Sequence, residues 1–166
     1  MPKNSADERL PRHLLVMRSS AMGDVAMLPH ALKALKDAYP GLKITVVTRK
    51  LFRSFFEGVD VDFLFIDTKG EHKGVRGILR LAREARALGV DAMADVHDVL
   101  RSQLFRLSMR LHGIRVRSIR KGRFAKWLRM GSSAECIEPL RHTVLRYCDV
   151  FRRLGFRFDD PAPALR

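Results

Sequence analysis

The residue best placed to do chemistry is Asp24, which closes the stretch Met17-Arg18-Ser19-Ser20-Ala21-Met22-Gly23-Asp24. An apolar run, residues 13–17, precedes this stretch, and residues 25–38 after it carry apolar side chains at helical spacing. Strand, tight polar turn and helix make the opening unit of a doubly wound sheet, whose ligands bind just beyond the carboxyl ends of the strands. Asp24 then stands at the start of the first helix. One role for it is an N-cap, accepting orphan backbone N–H groups. The other is a base that takes a proton from a ligand hydroxyl as the new bond forms.

Cationic residues gather around the same edge. Lys69, His72, Lys73, Arg76 and Arg80 follow the third apolar run, and Arg76 and Arg80 lie one helical turn apart, a spacing suited to gripping a phosphate or carboxylate. Residues 99–134 contain no acid and ten bases, from Arg101 to Arg129. On a helix 99–112, Leu100, Leu104, Leu107 and Leu111 form one apolar face, expected in the core. Phe105 and Met109 fall among Arg101, Arg106 and Arg110, which suggests a covered interface or contact with a membrane surface.

Other chemistries find little support. Asp95, His97 and Asp98 are too close in sequence to converge on one ion, so no metal site is expected. The first turn holds one glycine rather than G-x-G-x-x-G, and Gly70 to Gly77 lacks the Lys-Ser/Thr ending of a phosphate loop. No cofactor is expected. Cys136 and Cys148 lack metal-ligand spacing and read as inert thiols. His30, His112 and His142 read as packing or surface residues.

The elements that must position these groups follow in order. Strands are expected at 13–17, 43–48, 62–67, 91–96 and 114–119, and helices at 25–38, 51–56, 78–88, 99–112 and 139–154, with a short one within 121–130. Tyr39-Pro40-Gly41, Gly58, Gly89, Gly113 and Gly155 supply the stops. Strands alternating with helices predict an α/β fold: an open, mainly parallel Rossmann-like sheet with helices on both faces. Residues 1–12 read as a polar, disordered lead, 13–157 as one domain, and 158–166 as linker-like. No apolar run approaches a membrane span or a signal peptide, which makes the cytoplasm the expected compartment.

Lys plus Arg is 32 against 18 for Asp plus Glu, a net charge of +14. Such a field favours anionic partners. One reading is a basic α/β module that holds nucleic acid or another polyanion. Phe105 and Trp127 offer few stacking platforms, and no RNP-like motif occurs, so nucleic acid is the weaker expectation.

Leu14 to Val25, with Ser20, Gly23 and Asp24 and with Pro29 five residues after the acid, resembles the amino-terminal motif of glycosyltransferase family nine, the ADP-heptose:lipopolysaccharide heptosyltransferases of Gram-negative bacteria. Tyr39-Pro40-Gly41, Gly89-Val90-Asp91-Ala92, Asp95, Arg101-Ser102, Arg141-His142 and Leu154-Gly155 extend the similarity from about residue 13 to 157. The resemblance implies the amino-terminal half of a GT-B architecture, whose acceptor-binding domain faces a carboxy-terminal domain that binds the ADP-sugar. It implies metal-independent, inverting transfer with Asp24 as base. Ser20, Gly23, Lys69, Lys73, Arg76, Arg80 and Arg101 would answer a lipid-linked acceptor carrying Kdo carboxylates and phosphates. It further implies a peripheral place at the inner membrane, a donor half missing after Arg166, and no turnover by this chain alone.

Overall fold

The computed structural model describes residues 9–119 and 137–161, the side chains of 137–141 excepted. Five strands form one sheet: β1 (His13–Met17), β2 (Lys43–Thr48), β3 (Asp62–Phe65), β4 (Ala92–Asp95) and β5 (Arg115–Ser118). Their order is β3-β2-β1-β4-β5, with every pair parallel. Among the described residues, four α-helices, α1 (Met22–Ala38), α2 (Gly74–Ala87), α3 (Leu100–Leu111) and α4 (Ile137–Arg153), and a 3₁₀ helix (Lys50–Phe56) cover it.

The central strand shows why the sheet is covered twice. All five side chains of β1 are buried, and successive residues point to opposite faces. Leu14 and Val16 enter one core with α1, the 3₁₀ helix and α4, through residues such as Leu28, Tyr147 and Phe151. Leu15 and Met17 enter the other with α2 and α3, through Ile78, Leu81, Phe105 and Met109. Gly89 and Gly113, at φ of +77° and +80°, end α2 and α3 in the left-handed conformation that favours glycine.

The chain grows outward from β1 through β2 to β3, then returns to β4 on the other side of β1. The winding direction therefore reverses between β1 and β4. At such a reversal the two flanking loops diverge and open a crevice beyond the strand ends.

Two expectations change. Asp24 is no N-cap: α1 begins three residues earlier than its apolar periodicity suggests, its N-cap is Ala21, and Asp24 lies inside the first turn. On α3 the two faces are reversed. Phe105 and Met109 are buried against the sheet, whereas Leu100, Leu104, Leu107 and Leu111 are exposed. The cause is Arg106, whose Nη1 lies 3.4 Å from the buried carboxylate of Asp95 and 3.2 Å from Asp98. Turning the leucines inward would swing that cation away, leave Asp95 buried beside no countercharge, and bring Phe105 and Met109, both fully buried, out to solvent.

The short helix at 121–130, the basic residues from Arg120 to Arg129, Trp127, Cys136, the Arg141 side chain, residues 1–8 of the polar lead and residues 162–166 of the tail lie outside the described residues. Cys148 is buried, and burial pushes its thiol up to about 12, which keeps it inert at neutral pH. Among the described residues, no helix is long and apolar enough to cross a membrane.

Candidate functional site

The loop leaving β1 and the loop leaving β4 border the crevice. Arg18 bridges them. Its Nη1 donates to the carbonyl of Val96 at 2.5 Å and its Nη2 to Asp24 Oδ2 at 2.5 Å. The Arg18 side chain is 12% exposed while that of Asp24 is 44% exposed. A nearly buried guanidinium thus aims and balances a carboxylate that remains open to a ligand. Helix α4 completes the support: the Tyr147 hydroxyl donates to the Asp24 carbonyl at 2.9 Å, and the Arg18 guanidinium lies 5.9 Å from the centre of the Tyr147 ring. Arg146, on the same helix, is within electrostatic reach of both Arg18 and Asp24.

Ser20 faces the β4 loop, its Oγ 3.5 Å from His97 Nε2. The His97 main chain is set by an Asx turn in which Asp95 Oδ1 accepts from the amides of His97 and Asp98, both at 3.0 Å. Burial, reinforced by the positive charge of Arg18, holds the His97 imidazole below its ordinary 6.5 against the pull of Asp95, the Ser20 contact and Asp24. It is therefore neutral at pH 7. A neutral ring can accept or donate one hydrogen bond at the crevice without adding charge beside Arg18. Around Gly23 there is open space, with no atom within 4 Å of where a Cβ would stand.

The second basic group belongs to the end of β3, two strands away along the same carboxyl edge. Asp67 Oδ1 accepts from the amides of Lys69 and Gly70, and the Asp67 amide donates to His72 Nδ1 at 3.0 Å. That bond places the ring proton on Nε2, which donates to Glu84 at 3.0 Å. Arg80 is engaged with Glu84 at 3.1 Å and Glu71 at 3.5 Å. Partial burial of Glu84 opposes its ionisation, but hydrogen bonds from His72 and Arg80 outweigh this and keep its carboxyl below the usual range. Glu71, His72 and Glu84 form the only three-residue cluster among the described residues with ligand atoms close enough for a metal ion. The bonds just described occupy both nitrogens of His72 and pair Arg80 with both acids, so the cluster is a closed ionic network.

Ser20, Gly23 and Asp24 thus meet in one crevice. Lys69, Lys73 and Arg76 stand exposed at the rim, Arg80 is turned to its acids, and Arg101 is half-buried near the start of α3. Between the strand ends of β2 and β3 lies a hollow of about 560 Å³, lined by Arg49, Lys50, Leu51, Phe65, Ile66 and Asp67. Sequence reasoning missed Arg18, Arg49, Arg146 and Tyr147, and considered His97 only as a metal ligand. Arg18 was findable, since it is the first residue beyond the central strand and six before the acid it pairs with. Arg146 and Tyr147 come from over a hundred residues away and carry no local signal.

No family model and no curated protein matches the sequence. Solved structures do. A glycosyl transferase family 9 protein from Veillonella parvula superposes with a TM-score of 0.63 at 18% identity, over 92% of this chain and 44% of that one. The fold is that of a family 9 glycosyltransferase and of heptosyltransferases. Heptosyltransferase WaaC of E. coli, solved with ADP, gives a TM-score of 0.55 at 18% identity over 90% of this chain and 49% of its own. The E. coli ADP-heptose lps heptosyltransferase II gives 0.54 at 15% identity, over 93% and 47%. At these identities the likeness concerns the fold, and the chain spans about half the length of the structures it matches.

Proposed function

We propose that this chain is the acceptor-binding half of an inverting glycosyltransferase that moves heptose, or a related sugar, from an ADP-sugar to the anionic inner core of lipopolysaccharide. The observation that carries this reading is Asp24: an open carboxylate, aimed by a nearly buried arginine, at the winding reversal of a fold shared with family 9 transferases. In the reaction an acceptor hydroxyl gives its proton to Asp24 while its oxygen bonds to the anomeric carbon. The bond from that carbon to the ADP oxygen breaks, and ADP leaves from the opposite face. The acid removes the proton only as the hydroxyl becomes acidic in the transition state.

The rim suits an anionic acceptor. Lys69, Lys73 and Arg76 beyond β3, then Arg49 and Lys50 beyond β2, put cations along the carboxyl edge on one side of Asp24, with Arg101 on α3 beyond β4 on the other. Phosphates or sugar carboxylates bound there bring the hydroxyl to the crevice and hold its orientation. The ADP-sugar belongs to a second domain facing this edge, and the lipid-linked acceptor places the protein peripherally at the inner membrane of a Gram-negative cell. Titrating a Kdo-bearing, phosphorylated acceptor into the chain tests the reading. Saturable binding that Lys69→Ala/Lys73→Ala/Arg76→Ala weakens supports it; binding indifferent to those three changes contradicts it.

A further inference from the structure

Helix α3 turns an apolar crest to solvent. Leu100, Leu104, Leu107 and Leu111, spaced four, three and four residues apart, are 74%, 36%, 54% and 75% exposed. Helix α2, packed beside α3 on the same face of the sheet, adds Val75 and Leu79 at 60% and 49%. Isolated exposed leucines are ordinary, but four of them one helical turn apart make a continuous stripe along α3, with Val75 and Leu79 exposed on the neighbouring helix, and such a stripe calls for a partner.

The charges around the patch restrict that partner. Together α2 and α3 carry seven arginines and one acid, Glu84, which is already engaged by His72 and Arg80. Arg101 and Arg110 flank the leucine stripe on α3, while Arg76 and Arg83 share the outer side of α2 with Val75 and Leu79. A second copy docked by two-fold symmetry would set α3 against α3, arginine facing arginine with no acid to answer. A helix seated in a groove would meet side chains sheltered on either side. The leucines at both ends of this stripe are instead three-quarters exposed, which puts them on a ridge. A surface that yields to a ridge, accepts leucines to shallow depth and surrounds them with phosphates is an anionic lipid bilayer.

We infer that the outer face of α2 and α3 docks on an anionic membrane, with the α3 leucines entering the headgroup and acyl boundary and Arg83 and Arg110 binding lipid phosphates. This deepens the transferase reading by naming the surface that meets the bilayer that holds the acceptor. Vesicle binding is measured without donor or acceptor, so failure of the docking face and failure of the transferase reading are distinguishable.

The test uses the whole 166-residue chain and sedimentation with vesicles of phosphatidylcholine, with and without phosphatidylglycerol. The variant Leu100→Gln/Leu104→Gln/Leu107→Gln/Leu111→Gln leaves the net charge unchanged. It should lower partitioning into phosphatidylglycerol vesicles by roughly tenfold or more, with the circular dichroism spectrum retained. The milder Leu107→Gln/Leu111→Gln should give an intermediate loss, and it decides the matter if the fourfold variant does not fold. Undiminished binding by a folded variant overturns the inference, as does equal binding of the unaltered chain to vesicles lacking phosphatidylglycerol. A dimer in sedimentation equilibrium that the leucine changes convert to monomer would also overturn it, assigning the face to a second copy.

Discussion

Arg18 is the residue on which the site's geometry depends. It ties Asp24 to the Val96 carbonyl and lies against Tyr147, so its removal frees the acid and leaves a buried acceptor unpaired. Arg18→Ala should cost about 1–3 kcal/mol in chemical denaturation. Any ligand affinity that depends on the orientation of Asp24 should fall further than the stability loss explains. Two histidines give the fold a pH dependence of known sign. His97 lies below 6.5 through burial and Arg18, and His13 through burial and Lys43. Below about 6.5 the unfolded chain takes up protons that these rings refuse when folded, so they reduce stability as pH falls through that value. His97→Gln should flatten the slope of unfolding free energy between neutral pH and 5; an unchanged slope would contradict the assignment.

At the scale of elements, the sequence spacing located the helices better than it oriented them. The stops at Gly89 and Gly113 were plain, but α3 offers two apolar faces, and periodicity favoured the four leucines over Phe105 and Met109. What sets its phase is a long-range ion pair, Arg106 with Asp95 and Asp98, invisible to any local pattern. Helix α2 begins a turn earlier than its apolar residues suggest because Gly77 lets the chain fold against the preceding loop. A Cβ there would lie 2.1 Å from the His72 carbonyl carbon. Gly77→Ala should therefore destabilise by about 1–3 kcal/mol, although Ala favours a helix. Gly23 is the opposite case. With open space around it inside α1, Gly23→Ala should stabilise by roughly 0.5–1 kcal/mol, and on the proposed function the added methyl at the crevice should lower affinity for the acceptor. Thermal unfolding of the two variants separates these outcomes by sign.

At the scale of the whole molecule, the sheet was largely legible, since buried β-branched and apolar runs alternate with amphipathic segments closed by glycines. The strand order was not, because the return of the chain to β4 beside β1 depends on which helix covers which face. That return creates the crevice, and it brings His97 to Ser20 and, through α4, Tyr147 to Asp24. The Ser20, Gly23 and Asp24 cluster was therefore visible as a motif, whereas its supporting residues became visible only in the assembled fold. The most direct test of the account is turnover by this domain joined to the donor-binding half proposed for it, with an ADP-heptose donor and a Kdo-bearing acceptor. Asp24→Asn should leave acceptor affinity within a few fold and reduce kcat by about 10²–10⁴. Turnover near that of the unaltered protein would contradict the role of Asp24 as the base.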